Sequence, residues 1–429
     1  MGTIDDRRVL FPEYESQQVS RLYSSLQYQR HEGEVLVSRK EGNVWTAGAL
    51  IAGTALGAGI TAFPMATSSI GFVPSAVALT PAWIYMTISG LLLAELHLNR
   101  MAETGKVQHS LLELVNLGTP WNAVAAGSFF AVEYALVAYY LTQQQQVIDP
   151  VLLAGILGSV VVGLRSNLLQ KMNAVILMST LLTFGVATFT SGGISVNTLL
   201  ADQHPELVLN CLPILFMSLV YQSVVPTVVA QLEGDRTKIT QAVMGGTTLP
   251  FVTMLTWNAF SLGGANLDTP AAICFTSLAL LTSLLSLTSS LTSAWENAFM
   301  STSDEEGVST VSEAASTAET WKRCAMVALA LLPPLAFQQL SEDTSNAFAA
   351  LEYAGIFGAS TLFLILTPIA AWNERYRSDK PLVTKPMVPF GKIPLGSMWK
   401  AAATLIIEQG AEKLGVFEFL QHHFFASSI

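Results

Sequence analysis

Residues 51–64 decide the fold: they read IAGTALGAGITAFP, an apolar run with three glycines that ends in a proline. The surrounding stretch, roughly 46–64, carries no charge and is about as long as a membrane-spanning helix, which needs ~20 mostly apolar residues. Glycine costs ~1 kcal/mol relative to alanine inside a helix, so this cluster favours local unwinding. Gly53 and Gly57 also have the spacing of a GxxxG packing face. This segment alone therefore leaves two interpretations open: a packing face, or a discontinuous helix that lines a binding site.

The overall composition of the chain predicts a membrane protein. Apolar residues make up 51% of the sequence and charged residues only 12%, whereas soluble proteins carry about 25% charged residues. The net charge of −10 argues against a nucleic-acid partner. The three cysteines lie far apart and predict neither a disulfide framework nor a metal site, and we expect no cofactor.

The apolar segments predict an all-α transmembrane domain over residues 46–373. A polar, soluble tail (1–45) precedes it, and a cytoplasmic or interfacial segment (374–429) follows it. Residues 398–420 are typical of an amphipathic helix lying on the membrane surface. The predicted spans are roughly 46–64, 73–97, 122–146, 151–165, 172–191, 208–232, 238–263, 270–300, 322–340 and 346–373.

The basic residues give an independent test of this layout. Cytoplasmic loops of membrane proteins are enriched in lysine and arginine. With a cytoplasmic N-terminus and ten crossings, all 21 basic residues fall on one side of the membrane. A wrong helix count would scatter them over both sides, so the alternation supports a multi-pass protein with its N-terminus in the cytoplasm.

A second interruption is predicted in the sixth span, where Tyr221, Gln222 and Ser223 precede Pro226. A proline in mid-helix removes the hydrogen bond to the carbonyl four residues earlier, here that of Gln222. Alone, this pattern fits an ordinary kink. Together with residues 51–64 it indicates two five-helix halves of inverted topology, each opening with a broken helix.

Transporters bind substrate and ion at such breaks. Exposed amides at one break attract a carboxylate, and freed carbonyls at the other attract an ammonium group, so the pair of breaks suits an α-amino acid.

At this point four stretches resemble the hydroxy and aromatic amino acid permeases, the tryptophan and tyrosine permease family. The resemblance runs in order from about residue 44 to 376. The stretches are residues 51–64, Tyr134–Tyr140, Ser223–Val229, and Leu332–Phe337 followed by Tyr353-Ala354-Gly355.

The resemblance implies a LeuT-like fold, import of tryptophan, tyrosine or related amino acids, and proton coupling. The chain departs from the family pattern at Tyr221-Gln222, where the family often has an aromatic-histidine pair, and along Ser286–Ser293, where glycine and aspartate are typical. The eleventh helix of the family is degraded or absent here. These departures leave open the substrate, with small hydroxy or other neutral amino acids as the alternative, and the coupling ion, a proton or sodium.

The candidate residues follow from the two breaks and from the polar groups inside the spans. Glu133 has two interpretations: it carries a proton, or it stays neutral and bonds a neighbouring helix. The serines of the eighth span either bind an ion or bond the preceding helical turn. An enzyme is not expected, because the histidines lie in tails, loops and helix ends. A channel-like facilitator is the remaining rival. The predicted substrate-binding residues are Gly53, Thr54, Gly57, Ala58, Gly59, Tyr139, Tyr221, Gln222, Ser223 and Val224, and the predicted ion-coupling residues are Glu133, Ser286 and Ser289.

Overall fold

The structure, a computed structural model, consists of a helical bundle preceded by a small β-sheet. The bundle helices are labelled α1 to α11, and α6 is made of two pieces. The described residues are 8–11, 26–31, 34–39, 42–104, 107, 109–164, 166–300, 313–341, 343–377, 386–389 and 391–413. The helices are α1 (Val44–Thr67), α2 (Phe72–Thr104), α3 (Trp121–Gln144), α4 (Pro150–Gly163), α5 (Ser166–Thr190), α6 (Val208–Ser218 and Val225–Gln231), α7 (Arg236–Leu262), α8 (Pro270–Met300), α9 (Glu313–Ser341), α10 (Thr344–Tyr376) and α11 (Lys392–Lys413).

Eight helical segments in the described part of the chain are long and apolar enough to cross a membrane. They correspond to α1, α2, α3, α5, α6, α8, α9 and α10. The helix α4 is apolar but shorter, and α7 is long but not among the eight. The chain is thus an integral, multi-pass membrane protein, and each of the ten predicted spans coincides with a helix of the bundle.

Polar side chains set where several of these helices begin. Asn43, Asp149, Asp235 and Asp343 each accept a hydrogen bond from a backbone N–H of the first turn that follows. Such caps stabilise a helix by ~1 kcal/mol because the first N–H groups have no partner within the helix. The hydroxyl and backbone N–H of Ser345 also hold the pKa of the exposed Asp343 below its usual value.

The described parts of the N-terminal tail form three antiparallel strands: β1 (Arg8–Phe11), β2 (Leu26–His31) and β3 (Glu34–Arg39), in the order β1-β3-β2. The sequence predicted a polar, soluble tail, and no secondary structure was assigned to it. The strands β2 and β3 are neighbours in the chain, whereas β1 pairs with β3 over a longer separation that the composition of the tail does not reveal.

The centre of the bundle is formed by α1, which packs against α7, α8, α6 and α5. Its residues from Leu50 to Ile60 are all buried. At the periphery, α5 exposes large apolar side chains such as Val175, Leu182 and Phe189, as expected of a surface that faces lipid. The two segments predicted to be interrupted, α1 and α6, are therefore neighbours in the protein interior.

The C-terminal helix α11 packs along α10 rather than across the end of the bundle. At its start, the Lys392 ammonium group lies 4.9 Å from the ring centre of Tyr376. Near its end, Gly410 contacts the ring of Phe357 and the Gln409 amide donates to Asn210 at 3.4 Å. The two helices run antiparallel for about 27 Å, at 1.5 Å per residue.

The location of this helix on the membrane surface stays a prediction, and its described residues pack along α10. The side chains that pack inward recur at intervals of three and four residues, which gives the helix one face complementary to the bundle. These side chains are Leu395, Met398, Ala402, Leu405 and Gln409. The prediction for residues 414–429 lies outside the described part of the chain.

The middle of α10, Ala354–Leu366, is a π-helix. The Ser360 hydroxyl donates to the Gly355 carbonyl five residues earlier at 2.9 Å, which stabilises the wide turn. Gly355 allows this segment to approach the carbonyl of Pro213 on α6. Most π-helical segments are single-turn bulges inside α-helices, frequently at functional sites, whereas this one is longer and lies beside α3 and α6.

Candidate functional site

The glycines of α1 make room for side chains of four other helices. A Cβ atom on Gly57 would lie 2.7 Å from Ser283 Oγ and 2.7 Å from the Tyr140 ring. A Cβ atom on Gly53 would lie 2.6 Å from Thr282 Oγ1 and 2.8 Å from Asn173 Nδ2, and Gly59 faces Met254. Any larger residue at these positions would force its neighbours to move.

Two hydroxyl groups enter the backbone hydrogen bonding of α1. The Gly57 N–H donates to Ser283 Oγ at 2.9 Å, and that hydroxyl donates to the Gly53 carbonyl at 2.8 Å. Ser283 thus lies between the donor and acceptor that a regular α-helix would join directly. One residue on, the Ala58 N–H donates to the Tyr140 hydroxyl at 2.8 Å.

The sequence predicted that α1 is a discontinuous helix. This prediction was wrong, because Val44–Thr67 is a single helix. The hydroxyls of Ser283 and Tyr140 bond to backbone groups of this turn, which we call the opened turn of α1, and the helix continues through it. Thr54, in the same turn, donates its hydroxyl to the Leu50 carbonyl and so serves its own helix.

The predicted interruption of α6 is present, but its position differs. The first piece ends at Ser218, and a short 3-10 turn, Gln222–Val224, leads into Val225–Gln231. Pro226 lies in the first turn of the second piece, where a missing N–H costs nothing. The Gln222 carbonyl accepts from the Val225 N–H, so the prediction that proline leaves this carbonyl free was wrong.

Glu133 of α3 faces this interruption. Its side chain is completely buried, and neither carboxyl oxygen has a hydrogen-bond partner among the described residues. The Ser223 hydroxyl is the polar group next to it, and that hydroxyl also lacks a partner at normal hydrogen-bond distance. Unpartnered buried polar groups are uncommon, and they mark this junction of α3 and α6 as a place where an ion or polar group can be received.

The two adjacent tyrosines of α3 point in different directions. Tyr140 contacts the opened turn of α1, whereas the Tyr139 hydroxyl donates to the Met65 sulfur at 3.7 Å and its ring packs edge-on against Phe348. Tyr139 was the predicted substrate residue. The closer contact of Tyr140 with the α1 backbone was missed, because helix periodicity does not say which of two neighbours faces a given partner.

Two further residues escaped the sequence analysis: Ser283 itself and Asn173 of α5. Ser283 lies just before the hydroxyl-rich run that was singled out. Within that run, the buried Ser286 bonds the Thr282 carbonyl of its own helix at 3.1 Å, and Ser289 is half-buried. Asn173 accepts from the Thr282 hydroxyl at 2.6 Å, and its buried Nδ2 has no partner in the part of the chain that the structure describes. A polar residue inside a span was the available signal for Asn173.

Tyr221 and Gln222 point towards α2. Both donate to the Met86 carbonyl, the Tyr221 hydroxyl at 3.1 Å and the Gln222 amide at 3.2 Å. The Gln222 side-chain oxygen accepts from the Tyr221 N–H at 3.0 Å, and Val224 is buried close by. The partner of Tyr221 and Gln222 in this conformation is therefore α2. Of the predicted substrate-binding residues in α6, Ser223 is the one that faces Glu133.

Comparison with known proteins identifies the family. The model of the tryptophan/tyrosine permease family matches residues 40–274, more than half of the chain. The chain belongs to this family. The matched part includes α1 to α7 and therefore both the opened helix and the interrupted helix.

This permease-family chain is 24% identical to a tryptophan-specific transport protein of Haemophilus influenzae, over 52% of the chain and 59% of that relative. It is 28% identical to a tryptophan-specific transport protein of Pseudomonas aeruginosa, over 50% of the chain and 56% of that relative. A tyrosine-specific transport system of H. influenzae matches at 23% identity over 76% of the chain and 87% of its own length. The chain thus spans less than two thirds of the tryptophan-specific relatives. All three are named as transport proteins, in keeping with the prediction that the chain is not an enzyme.

Proposed function

We propose that this chain is a secondary active transporter for an aromatic amino acid, tryptophan or tyrosine, with a proton as the coupling ion. The names of its relatives support the substrate class. The observation that carries the proposal is the opened turn of α1, where two backbone N–H groups are satisfied by the hydroxyls of Ser283 and Tyr140.

The opened turn suits a carboxylate. Backbone N–H groups and hydroxyls are strong donors to an anion, and hydrogen bonds to a charged group are about twice as strong as neutral ones. A substrate carboxylate would exchange with the hydroxyl groups at Gly57 and Ala58, and Gly53, Thr54 and Gly59 would shape the surrounding turn. The exchange requires the Ser283 side chain and the Tyr140 ring to move away from these N–H groups, after which their hydroxyls can donate to the carboxylate.

The interruption of α6 supplies the second half of the proposed site. Tyr221, Gln222, Ser223 and Val224 would set the substrate class, and Tyr139 would line the path on the opposite side of α3. The opened α1 and the interrupted α6 are five spans apart, which supports two inverted halves that alternately expose the site to the two sides of the membrane. The positive-inside pattern supports a cytoplasmic N-terminus.

Glu133 would couple transport to the ion. An ionised carboxylate buried without a partner costs several kcal/mol, so the protein can keep it only with a proton or a cation bound. Binding and release of that proton in step with the substrate would drive accumulation. Ser286 and Ser289 would take part if the ion were sodium, because hydroxyl oxygens suit a hard cation.

The test is uptake of radiolabelled tryptophan and tyrosine by the purified protein in liposomes, with imposed proton or sodium gradients. We expect saturable uptake that responds to the pH gradient and stops when that gradient is collapsed. Accumulation that follows sodium and ignores pH would contradict the proton assignment. Flux that never saturates would indicate a channel-like facilitator, and saturable uptake of small neutral amino acids alone would contradict the aromatic substrate.

A further inference from the structure

The side of α2 that faces the interruption of α6 holds a tyrosine ring in a closely fitted place. The ring of Tyr221 lies against Gly90: a Cβ atom added there would overlap the Tyr221 hydroxyl and lie 2.7 Å from the ring carbon that bears it. Tyr221 is itself 1% exposed. A hydrogen atom is therefore the only side chain at position 90 that leaves room for the ring.

The same place recognises the phenol hydroxyl. The Met86 carbonyl, one helical turn before Gly90, accepts from the Tyr221 hydroxyl at 3.1 Å and from the Gln222 amide at 3.2 Å. In a regular helix this carbonyl also accepts from the Gly90 N–H, so the two side-chain donors from the interrupted segment of α6 share it with the backbone of α2. A phenylalanine ring in the place of Tyr221 would lack the donor that reaches this carbonyl.

A crevice extends from this place towards α1 and α7. It is bounded by Ala55, Trp83, Met86, Thr87, Leu219, Tyr221 and Thr247. With Tyr221 in place the crevice has no room for even a water molecule, and departure of the Tyr221 ring would enlarge it.

We propose that the Met86–Gly90 face of α2, with this crevice, is the subsite for the aromatic ring of the substrate, and that Tyr221 occupies it when no substrate is bound. The subsite takes a flat ring that carries an O–H or N–H donor, which is the shared chemistry of a phenol and an indole. Substrate binding then requires the Tyr221 ring to leave, so Tyr221 acts as an internal competitor. This inference rests on the proposed transport of aromatic amino acids and assigns the part of the site that recognises the ring.

The first test replaces Tyr221 by phenylalanine, which keeps the ring and removes its hydroxyl group. The phenylalanine ring lacks the hydrogen bond to the Met86 carbonyl, so it leaves the subsite more often than the Tyr221 ring does. The fraction of protein with a free subsite then increases, and the apparent affinity for the substrate rises with it. We expect tryptophan and tyrosine to compete with labelled substrate roughly twofold to tenfold more effectively in the Tyr221→Phe protein.

The second test places a methyl group in the subsite. We expect Gly90→Ala to lower affinity for tyrosine and to reduce the preference for tyrosine over phenylalanine, because the ring no longer reaches the Met86 carbonyl. Gly127→Ala on α3 is the matched control, since nothing lies within 4 Å of a Cβ atom added there. The double variant Gly90→Ala, Tyr221→Ala removes the overlap between the new methyl group and the Tyr221 ring. We expect this variant still to show the reduced preference for tyrosine over phenylalanine.

The outcomes separate this inference from the proposed function. If neither tryptophan, tyrosine nor phenylalanine competes in the wild-type protein, both are overturned. If they compete in the wild type but Tyr221→Phe leaves affinity unchanged or lowers it, the inference alone fails. An unchanged preference for tyrosine over phenylalanine in both Gly90 variants would also overturn it.

Discussion

At the scale of single residues, Gly57 and Glu133 carry the strongest constraints. Gly57 has no space for a side chain, because Ser283 and Tyr140 already occupy the position of a Cβ atom. Glu133 is buried, and its carboxyl oxygens have no hydrogen-bond partner among the described residues, which is uncommon for a buried polar group. Both positions therefore call for a functional explanation, and each can be tested by a single substitution.

We expect Gly57→Leu to abolish uptake while the protein still inserts in the membrane. A leucine side chain would take the space of the Ser283 and Tyr140 side chains and displace their hydroxyls from the backbone of α1. Radiolabel uptake, normalised to the amount of purified protein, gives the measurement. Gly127→Leu is the control, and normal uptake by correctly inserted Gly57→Leu protein would rule out the carboxylate site at this turn.

For Glu133→Gln we expect exchange of substrate across the membrane to continue and pH-driven accumulation to disappear. Glutamine has nearly the same shape but cannot carry the proton. Counterflow and gradient-driven uptake in liposomes measure the two activities separately. Glu113→Gln, at an exposed position between α2 and α3, should change neither. Accumulation that survives in the Glu133→Gln protein would remove Glu133 from the coupling mechanism.

At the scale of elements, α1 and α6 are weakened in different ways. In α6 the chain leaves the helical conformation at Leu219–Tyr221 and resumes it at a turn that contains proline. In α1 the backbone stays helical, and hydroxyls from α3 and α8 are inserted into its hydrogen bonding. An inserted side chain is a recognised cause of helix distortion, so the opening of α1 depends on its neighbours as well as on its glycines.

This dependence predicts a specific effect of Ser283→Ala. Without the hydroxyl, the Gly57 N–H can return to the Gly53 carbonyl, so the turn closes and binds substrate less well. We expect affinity to fall roughly tenfold, the equivalent of about one hydrogen bond of ~1.4 kcal/mol. Competition binding gives the value. Thr292→Val is the control: Thr292 is buried on the same helix, and the change removes only a bond to the Thr288 carbonyl within α8. Equal losses in the two variants would show that the α1 opening plays no role in binding.

At the scale of the whole molecule, one end of the bundle is held by a buried ion pair. Arg375 at the end of α10 binds both carboxyl oxygens of Glu95 on α2 at 2.6 Å, and both side chains are 2% exposed. The backbone N–H of Met387 donates to the same carboxyl group at 2.7 Å. Arg236 on α7 donates to the neighbouring Pro386 carbonyl. The segment before α11 is thus tied to α2, α7 and α10.

We expect Glu95→Gln to lower the free energy of unfolding by ~3–5 kcal/mol, because it leaves the Arg375 charge buried without its partner. Lys238→Gln is the contrast: its ion pair with Asp235 is 4.0 Å long and partly exposed, so its removal should cost less than ~1 kcal/mol. Thermal or denaturant unfolding in detergent compares the two. Similar small losses in both variants would mean that the ion pair does not hold the bundle together.

The sequence by itself determined the membrane class, the helices and the two weak points. Apolar runs of sufficient length must become helices in lipid, because each backbone polar group needs a partner within its own segment. That requirement is local, so residues 51–64 and 219–226 could be recognised without knowledge of the fold. The structure confirmed the predicted interruption of α6.

Only the tertiary structure decided which groups meet. The insertion of Ser283 between Gly57 and Gly53, the turn of Tyr221 towards Met86, and the packing of α11 along α10 all join residues that are distant in sequence. The charges of α11, Lys400 and Glu408, led to its interpretation as a surface helix, whereas its buried stripe matches α10. Helix periodicity defines which residues share a face, but the partner of that face depends on the packing of the whole bundle, which a single segment does not encode.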